Sequence, residues 1–192
     1  MEHFILADKY TIEDRKNLLK LAQDAIFYGL KHQQVMPIKL EDYAAHLQEI
    51  RAVFVTLEIN KNLRGCIGSL EAHRPLVEDI AYNAYAAAFS DPRFSPLNEA
   101  EFPQLKIHIS ILNQAEPMQF TSEQDLIRQL RPGVDGLILT DNGFRGTFLP
   151  SVWESLPKSE DFLAHLKLKA GLPQNYWSDT IKIERYTVES IP

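Results

Sequence analysis

The sequence contains very little cysteine: Cys66 is the only one among 192 residues. A single cysteine excludes an intramolecular disulfide, and a lone thiol fits a reducing cytoplasm better than an export route. Long apolar runs are also absent, because none approaches the about 20 residues that a membrane-spanning helix needs. These two absences predict a cytoplasmic protein that does not cross a membrane.

Dense clusters of basic residues are missing as well, and the formal net charge is −6. We therefore expect neither nucleic-acid binding through phosphate neutralisation nor a polybasic membrane anchor. The six histidines show no H-x-H or H-E-x-x-H spacing, and the sequence has no Walker loop and no G-x-G-x-x-G segment after a strand. The sequence thus predicts no metal site and no cofactor, and its binding partner, a small molecule or a protein, stays open.

Four segments have the apolar spacing of helices. With 45% hydrophobic residues, a chain of this length can bury one compact core, with or without a smaller lobe. Thr11, with Asp14 three residues later, is expected to cap the first helix, and Ser159 to cap the last. The predicted helices cover 11–30, Pro75–Phe89, 121–130 and 159–169.

Alternating apolar and polar residues predict the extended segments. A hairpin is expected at 136–148, because Asn142-Gly143 supplies the positive φ angles of a tight turn. The other predicted strands cover 52–59, 63–67, 105–112 and 180–188. Helices and hairpins interleave without a regular βαβ rhythm, so we predict an α+β fold with a largely antiparallel sheet and flanking helices.

The segment Arg64-Gly65-Cys66-Ile67-Gly68 is the most distinctive one in the sequence. In an extended chain Arg64 and Cys66 project to the same side, and Gly68 leaves open space beside them. A guanidinium next to a thiol favours the nucleophilic thiolate, so the segment indicates an activated cysteine or an anion-binding face. The alternative is a buried structural cysteine whose neighbouring glycines serve turns and packing.

A second candidate segment is Asp91-Pro92-Arg93. Asp91 can close a turn before the proline, and Arg93 can offer a planar, bidentate donor to a carboxylate or phosphate. The alternative is a structural turn in which Arg93 supports a loop. His73 and His108 are the nearest candidate bases, and each can equally be a hydrogen-bonded structural histidine.

Taken together, these segments resemble one family. Leu63-Arg64-Gly65-Cys66-Ile67-Gly68 is similar to the signature hexapeptide of the AMMECR domain family, whose prokaryotic members are often labelled AmmeMemoRadiSam system protein A. Further segments resemble family blocks in the same order, so that the resemblance covers roughly residues 10–188. They are Ala87-Ala88-Phe89 leading into Asp91-Pro92-Arg93-Phe94, Ile109-Ser110-Ile111-Leu112, Gly133-Val134-Asp135-Gly136-Leu137, Gly146-Thr147-Phe148-Leu149-Pro150, and Lys169-Ala170-Gly171-Leu172 followed by Trp177. Thr140 departs from the family pattern, in which many members have an acidic residue.

The resemblance implies one AMMECR-type domain over 1–192 with two α+β lobes, the hexapeptide lying beside a cleft between them. It also implies a functional link, in many prokaryotes, with a Memo-like protein and a radical S-adenosylmethionine protein. It implies no agreed reaction or substrate, so any mechanism has to be argued from the residues themselves.

We predict from the residues that Cys66 is a catalytic nucleophile or redox thiol acting on a small or peptide-borne substrate in that cleft. Arg64 would stabilise the thiolate, and Arg93 would hold an anionic group of the substrate. The further candidates for substrate binding are Asp91, Gly65 and Gly68. In the alternative, the chain is a non-catalytic protein-binding module and the hexapeptide is structural.

Two geometric expectations follow. Arg64, Cys66 and Arg93 should converge on one concave surface, with Asp91 between the two arginines, because two guanidiniums repel each other unless an anion separates them. The sequence has no heptad pattern and no evident exposed apolar helix face, so we also expect a monomer or a weak dimer.

Overall fold

The computed structural model describes residues 9–192, which form two compact units. Unit 1 contains the described residues up to Leu112 together with Glu189–Pro192, and unit 2 is Asn113–Val188. The α-helices are α1 (Ile12–His32), α2 (Leu76–Phe89), α3 (Glu123–Gln129) and α4 (Ser159–Ala170). The strands are β1 (Ala52–Ile59), β2 (Asn62–Gly68), β3 (Lys106–Leu112), β4 (Glu116–Pro117), β5 (Gly136–Asp141), β6 (Phe144–Phe148), β7 (Lys182–Tyr186) and β8 (Val188–Ile191).

The first helix begins at the predicted cap. Thr11 Oγ1 accepts a hydrogen bond from the Asp14 N–H at 3.1 Å, and Asp14 Oδ2 accepts one from the Thr11 N–H at 2.9 Å, so the capping box is confirmed. Gly29 lies inside α1, three residues before its end. The rings of Tyr85 and Phe89 occupy the space that a Cβ at Gly29 would need, so this glycine allows α2 to pack closely against α1.

Unit 1 is a four-stranded sheet with the order β2-β1-β3-β8, on which α1 and α2 pack. The central strand β1 pairs antiparallel with β2 on one side and with β3 on the other. Val53, Val55 and Leu57 project from one face of β1 and are fully buried with the apolar faces of the two helices. Phe54, Thr56 and Glu58 therefore belong to the opposite face, which is partly exposed.

Unit 2 has its own sheet, with the order β4-β7-β5-β6, and its own core. Strand β5 pairs antiparallel with both β6 and β7. Leu137 and Leu139 on β5 are fully buried, and the rings of Trp153 and Phe162 stack with their centroids 3.8 Å apart. The α+β class and the antiparallel pairing are as predicted, but the strands form two sheets rather than one.

Two sequence predictions near the ends of elements are wrong. Ser159 is the first residue of α4, and Lys158 precedes the helix without a side-chain hydrogen bond to it. The predicted strand 180–188 is two strands, because Thr187 leaves the ladder and its carbonyl accepts a hydrogen bond from Asn113 N–H at 2.9 Å. Within residues 9–192, no helix is long and apolar enough to span a membrane.

Each unit contains one hairpin with the same kind of turn. In the unit 1 hairpin, β1–β2, the turn residues Asn60 and Lys61 have φ angles of 52° and 64°. In the unit 2 hairpin, β5–β6, the predicted turn residues Asn142 and Gly143 have φ angles of 47° and 86°. Positive φ at both central residues is characteristic of the tight turn that matches the twist of the adjoining strands.

Candidate functional site

The hexapeptide lies on β2, at an edge of the unit 1 sheet. Leu57 of β1 lies opposite Gly65, but the next residue, Glu58, lies opposite Leu63, so Arg64 is an extra residue in the strand. Such a bulge bends the strand and redirects the side chain. The strict alternation that predicts a common direction for Arg64 and Cys66 is interrupted at this point.

The two glycines of the segment are explained by close packing. A Cβ on Gly65 would lie closer than 3.0 Å to the carbonyl oxygen of Ala87, so the absence of a side chain lets the end of α2 approach β2. A Cβ on Gly68 would meet the ring of Phe54, with its Cδ1 at 2.6 Å. The expectation of open space beside Gly68 is therefore wrong, because this ring fills it.

The backbone of Cys66 is bonded on its outer side by an ion pair. The Cys66 N–H donates to Asp91 Oδ2 at 3.0 Å, and Arg93 Nη2 donates to the Cys66 carbonyl at 3.3 Å. Arg93 also donates to both oxygens of Asp91, through Nε at 3.0 Å and Nη2 at 2.7 Å. The pair thus supplies one acceptor and one donor, as a neighbouring strand would, to the unpaired edge at Cys66.

The electrostatics of this ion pair follow from those contacts. The hydrogen bonds from the Arg93 side chain, and then those from the backbone N–H groups of Cys66 and Arg93, hold the pKa of Asp91 well below its usual range although burial opposes this. The pKa of Arg93 is raised, first by Asp91 and to a smaller extent by the negative charge of a Cys66 thiolate. The Asp91 side chain is buried, whereas that of Arg93 is 53% exposed.

The Cys66 thiol lies on the partly exposed face of the sheet. Because its backbone groups point away from β1, Cys66 and Thr56 form a non-hydrogen-bonded cross-strand pair, in which side chains come closest. Cys66 Sγ is accordingly 3.3 Å from Thr56 Oγ1. Cys66 as a residue is partly exposed rather than buried.

A histidine continues this line across the sheet. His108 on β3 is the other cross-strand partner of Thr56, so Cys66, Thr56 and His108 form one row on the same face, which we call the thiol row. His108 Nε2 is 3.3 Å from Oε2 of Glu58, which follows Thr56 by two residues on that face. Thr56 and Glu58 were missed as candidates, although the alternation of 52–59 already places both on one side.

Arg64 belongs to a different contact. Its Nε and Nη2 donate to the two oxygens of Glu101 at 2.8 Å and 3.0 Å, and Nη2 also donates to the carbonyl of Ser95 at 2.8 Å. Within residues 9–192, none of its hydrogen bonds or ion pairs involves Cys66 or Asp91. Arg64 and Arg93 both lie beside Phe94, with their Cζ atoms 5.7 Å and 5.6 Å from the ring centroid.

The expected convergence is thus met by part of the set. Arg93 and Asp91 contact the backbone of Cys66, but Asp91 does not bridge the two arginines, because Glu101 satisfies Arg64 separately. His73 is not part of the row: its Nδ1 contacts the Glu71 carbonyl and its Nε2 accepts from Arg74. No group of three or more His, Cys, Asp or Glu side chains suited to a metal ion occurs in residues 9–192.

Comparison with known proteins decides the family. The family model described as AMMECR1 matches residues 19–191. The chain belongs to the AMMECR1 family. All residues of the thiol row, and the Asp91–Arg93 pair, lie within the part that the AMMECR1 model matches.

Proteins similar to this chain include several from archaea. A protein of Methanothermobacter thermautotrophicus is 36% identical over 172 residues, which cover 87% of each chain. Protein MJ0810 of Methanocaldococcus jannaschii is 36% identical over 187 residues, 93% of this chain and 90% of that protein. The crystal structure of the uncharacterized protein PH0010 from Pyrococcus horikoshii is similar with a TM-score of 0.78 and 34% identity, covering 91% of this chain and 88% of that one.

Proposed function

We propose that this AMMECR1-family protein is an enzyme, or an enzyme component, that uses Cys66 as a nucleophile on a small or peptide-borne acyl substrate. The thiol row carries this proposal, because it aligns the thiol of the partly exposed Cys66, a hydroxyl and an imidazole on one face of the sheet. Catalytic groups held on sheet strands keep their mutual geometry better than groups on loops.

The distances across the row suit attack at one end and proton transfer at the other. Two cross-strand steps separate the Cα atoms of Cys66 and His108 by about 10 Å. A carbonyl carbon about 3.5 Å from Sγ would lie above Thr56, so that the departing group would be near His108. In this arrangement His108 serves the leaving group and does not need to contact the thiol.

The proposed reaction is hydrolysis of an acyl bond in two steps. The Cys66 thiolate attacks the carbonyl carbon, the bond to the leaving group breaks, and the leaving group takes a proton from His108, which gives a thioester. His108 then accepts a proton from water, whose oxygen attacks the thioester and releases the acid and the thiolate. Glu58 orients the imidazole, and Thr56 can donate to the developing oxyanion.

Arg93 supports this chemistry through its charge. It is the guanidinium that contacts the Cys66 backbone, and more than half of its side chain is exposed. We propose that it attracts an anionic group of the substrate towards Cys66. Arg64 has a lesser part in this version, because its hydrogen bonds go to Glu101 and Ser95 and none goes to Cys66.

The test is acyl transfer from p-nitrophenyl acetate, followed by intact-mass measurement. We expect acetylation of Cys66 in the wild type, none in Cys66→Ala, and slowing of deacetylation by about 100-fold in His108→Asn, since general acid–base catalysis contributes at least that much. His73→Asn is the matched control, because His73 lies outside the row, and it should behave as the wild type does. A Cys66 that is never acetylated would contradict the proposal.

A second arm separates the two arginines. The rate of Cys66 alkylation by iodoacetate, which is an anion, should fall in Arg93→Ala and change little in Arg64→Ala, because Arg93 contacts the Cys66 carbonyl whereas Arg64 contacts Glu101 and Ser95. Equal effects of the two substitutions would contradict the role given to Arg93.

The second candidate function is a non-catalytic module that binds a partner protein. The packing of Gly65 and Gly68 and the ion pair at the Cys66 backbone favour it, since these features serve structure without requiring chemistry. It predicts that Cys66 is unreactive at every pH and that Cys66→Ala retains biological activity. If Cys66 is neither acetylated nor affected in its alkylation by Arg93→Ala, the protein-binding function is favoured.

We further propose that the protein works in the cytoplasm as a monomer or weak dimer. Support comes from the single cysteine and the absence of an apolar heptad pattern in the sequence. The family resemblance supports a functional link with a Memo-like protein and a radical S-adenosylmethionine protein. Sedimentation showing a stable higher oligomer would contradict the oligomeric state, and co-purification tests the link.

A further inference from the structure

A groove of about 370 Å³ lies on unit 1, and none of the residues of the thiol row lines it. It is formed by the segment that follows α1 and by the first half of α2. This volume is within the range of pockets that bind small molecules. The lining consists of three apolar side chains on one segment and three polar ones near α2: Val35, Met36, Ile38, Arg74, Glu78 and Tyr82.

Arg74 is held against an exposed aromatic ring in this groove. Its Cζ lies 3.8 Å from the ring centroid of Tyr82, and Nη2 donates to His73 Nε2 at 2.9 Å. Nη1 also forms a long ion pair with the buried Asp79, whose Oδ1 lies 3.7 Å away, and burial raises the pKa of Asp79. Within residues 9–192, Arg74 therefore has no hydrogen-bonded carboxylate, and its stacked guanidinium is preorganised for an anionic ligand group.

Glu78 supplies the opposite charge in the same groove. It lies one helical turn before Tyr82, on the same side of α2. Within the described part of the chain its carboxylate has no hydrogen bond or ion pair. A carboxylate without a partner, beside a guanidinium without a hydrogen-bonded carboxylate, can pair with a ligand that carries both charges.

We propose that this groove binds a free apolar α-amino acid. The ligand's carboxylate would bind Arg74, its ammonium would bind Glu78, and its side chain would lie against the apolar wall of Val35, Met36 and Ile38. The wall should favour leucine or methionine over glycine, because each buried methylene contributes about fourfold in affinity. The proposal is independent of the chemistry at Cys66.

Calorimetric titration with L-leucine and two analogues tests each charge separately. N-acetyl-L-leucine lacks the ammonium, and L-leucinamide lacks the carboxylate. We expect leucine to bind the wild type, and each analogue to bind at least about tenfold more weakly, since hydrogen bonds to charged groups contribute that much. Glycine should also bind more weakly than leucine.

Variants then show which residue binds the ammonium of the ligand and which binds its carboxylate. Glu78→Gln should bind leucine and N-acetyl-L-leucine equally, and Arg74→Ala should bind leucine and leucinamide equally, because each change removes one partner of a pair. Glu13→Gln, an exposed acid in the first turn of α1, is the matched control and should behave as the wild type does. Cys66→Ala should also bind leucine normally, which separates this test from that of the proposed enzyme.

Three results would overturn the proposal. The first is no binding of leucine at millimolar concentration. The second is equal binding of leucine and its two analogues by the wild type, which would show that the charges are not recognised. The third is unchanged discrimination in Glu78→Gln or Arg74→Ala, which would place the recognised ligand elsewhere on the protein.

Discussion

The two hairpins differ in an instructive way, although they begin alike. Each has a turn with positive φ at both central residues, an Arg-Gly dipeptide on its second strand, and that strand at a sheet edge. In each, the glycine lies beneath a helix end: a Cβ on Gly65 would collide with the Ala87 carbonyl, and one on Gly146 would lie 2.7 Å from Ala170 N. A glycine under a helix is therefore a packing feature that both units use.

The unit 1 hairpin differs from the unit 2 hairpin in the residues around its glycine. Cys66 stands where the unit 2 hairpin has Thr147, Arg64 forms a bulge where Arg145 pairs in register, and the Asp91–Arg93 ion pair bonds the outer edge. The comparison thus separates the parts of the hexapeptide that serve packing from the parts available for chemistry. The glycines belong to the first group and Cys66 to the second.

The largest effect is expected from adding a methyl group under the helix. Gly65→Ala should destabilise the protein by about 3 kcal/mol, because the new Cβ meets helix backbone that has little freedom to move. Gly146→Ala should cost about 1–2 kcal/mol, because its closest contact, 2.7 Å to Ala170 N, is less severe. Urea denaturation measures both, and a larger cost at Gly146 would break the comparison.

The next largest effect concerns two buried carboxylates. Asp91 contacts the unit 1 hairpin, and Asp141 is part of the unit 2 hairpin. Asp91→Asn should cost about 2 kcal/mol at neutral pH, because it weakens the pairing with Arg93 and places amide hydrogens near donors. Asp141→Asn in the unit 2 hairpin should cost less, because its partners are the hydroxyls of Tyr176, Ser178 and Thr180, which can reorient.

Acid titration sharpens that prediction. Since the folded pKa of Asp91 lies below the unfolded value, its stabilisation is complete above about pH 4 and is lost as the pH falls toward the folded pKa. The stability difference between wild type and Asp91→Asn should therefore shrink below about pH 4. A difference that is constant from neutral to acid pH would contradict the assignment.

A smaller effect is expected in the turns. Lys61 has a φ of 64°, whereas the corresponding residue of the unit 2 hairpin is Gly143. Lys61→Gly should stabilise the protein by about 1 kcal/mol, because a left-handed conformation is costly for a residue with a Cβ. Thermal unfolding of this variant, with Lys39→Gly as a control outside the turn, would show whether the two turns are equivalent.

The smallest effect is expected at the thiol itself. Cys66→Ser should cost less than about 1 kcal/mol, because the new hydroxyl remains partly exposed and can hydrogen-bond to Thr56. A core thiol replaced by an unsatisfied hydroxyl would instead cost about 1–3 kcal/mol. A loss of unfolding free energy in that higher range would show that Cys66 serves packing, as Gly65 and Gly68 do.

The sequence predicts the local elements well because they depend on local patterns. The strand 52–59 and the start of α1 at Thr11 follow from alternation and capping. The bulge at Arg64 does not, because it depends on how β2 pairs with β1. The alternation of the last extended segment is imperfect, and the spacing of Ile183, Tyr186 and Val188 does not show where that segment divides between two sheets.

The site is predicted in part for the same reason. Cys66, Asp91 and Arg93 are identifiable from their motifs, and the structure brings them into contact. The partner of Arg64, Glu101, is 37 residues away and belongs to no motif. The thiol row requires the register of three strands, which a single sequence does not contain.

The placement of β8 in the unit 1 sheet has a consequence for the order of folding. Residues 189–191 belong to an edge strand of that sheet, yet they leave the ribosome only after the whole of unit 2. During synthesis, unit 2 can complete its structure as the contiguous segment 113–188, whereas unit 1 still lacks one strand of its sheet. Unit 2 should therefore acquire protection from proteolysis on stalled nascent chains earlier than unit 1, because domains without long-range closure fold as soon as they are available.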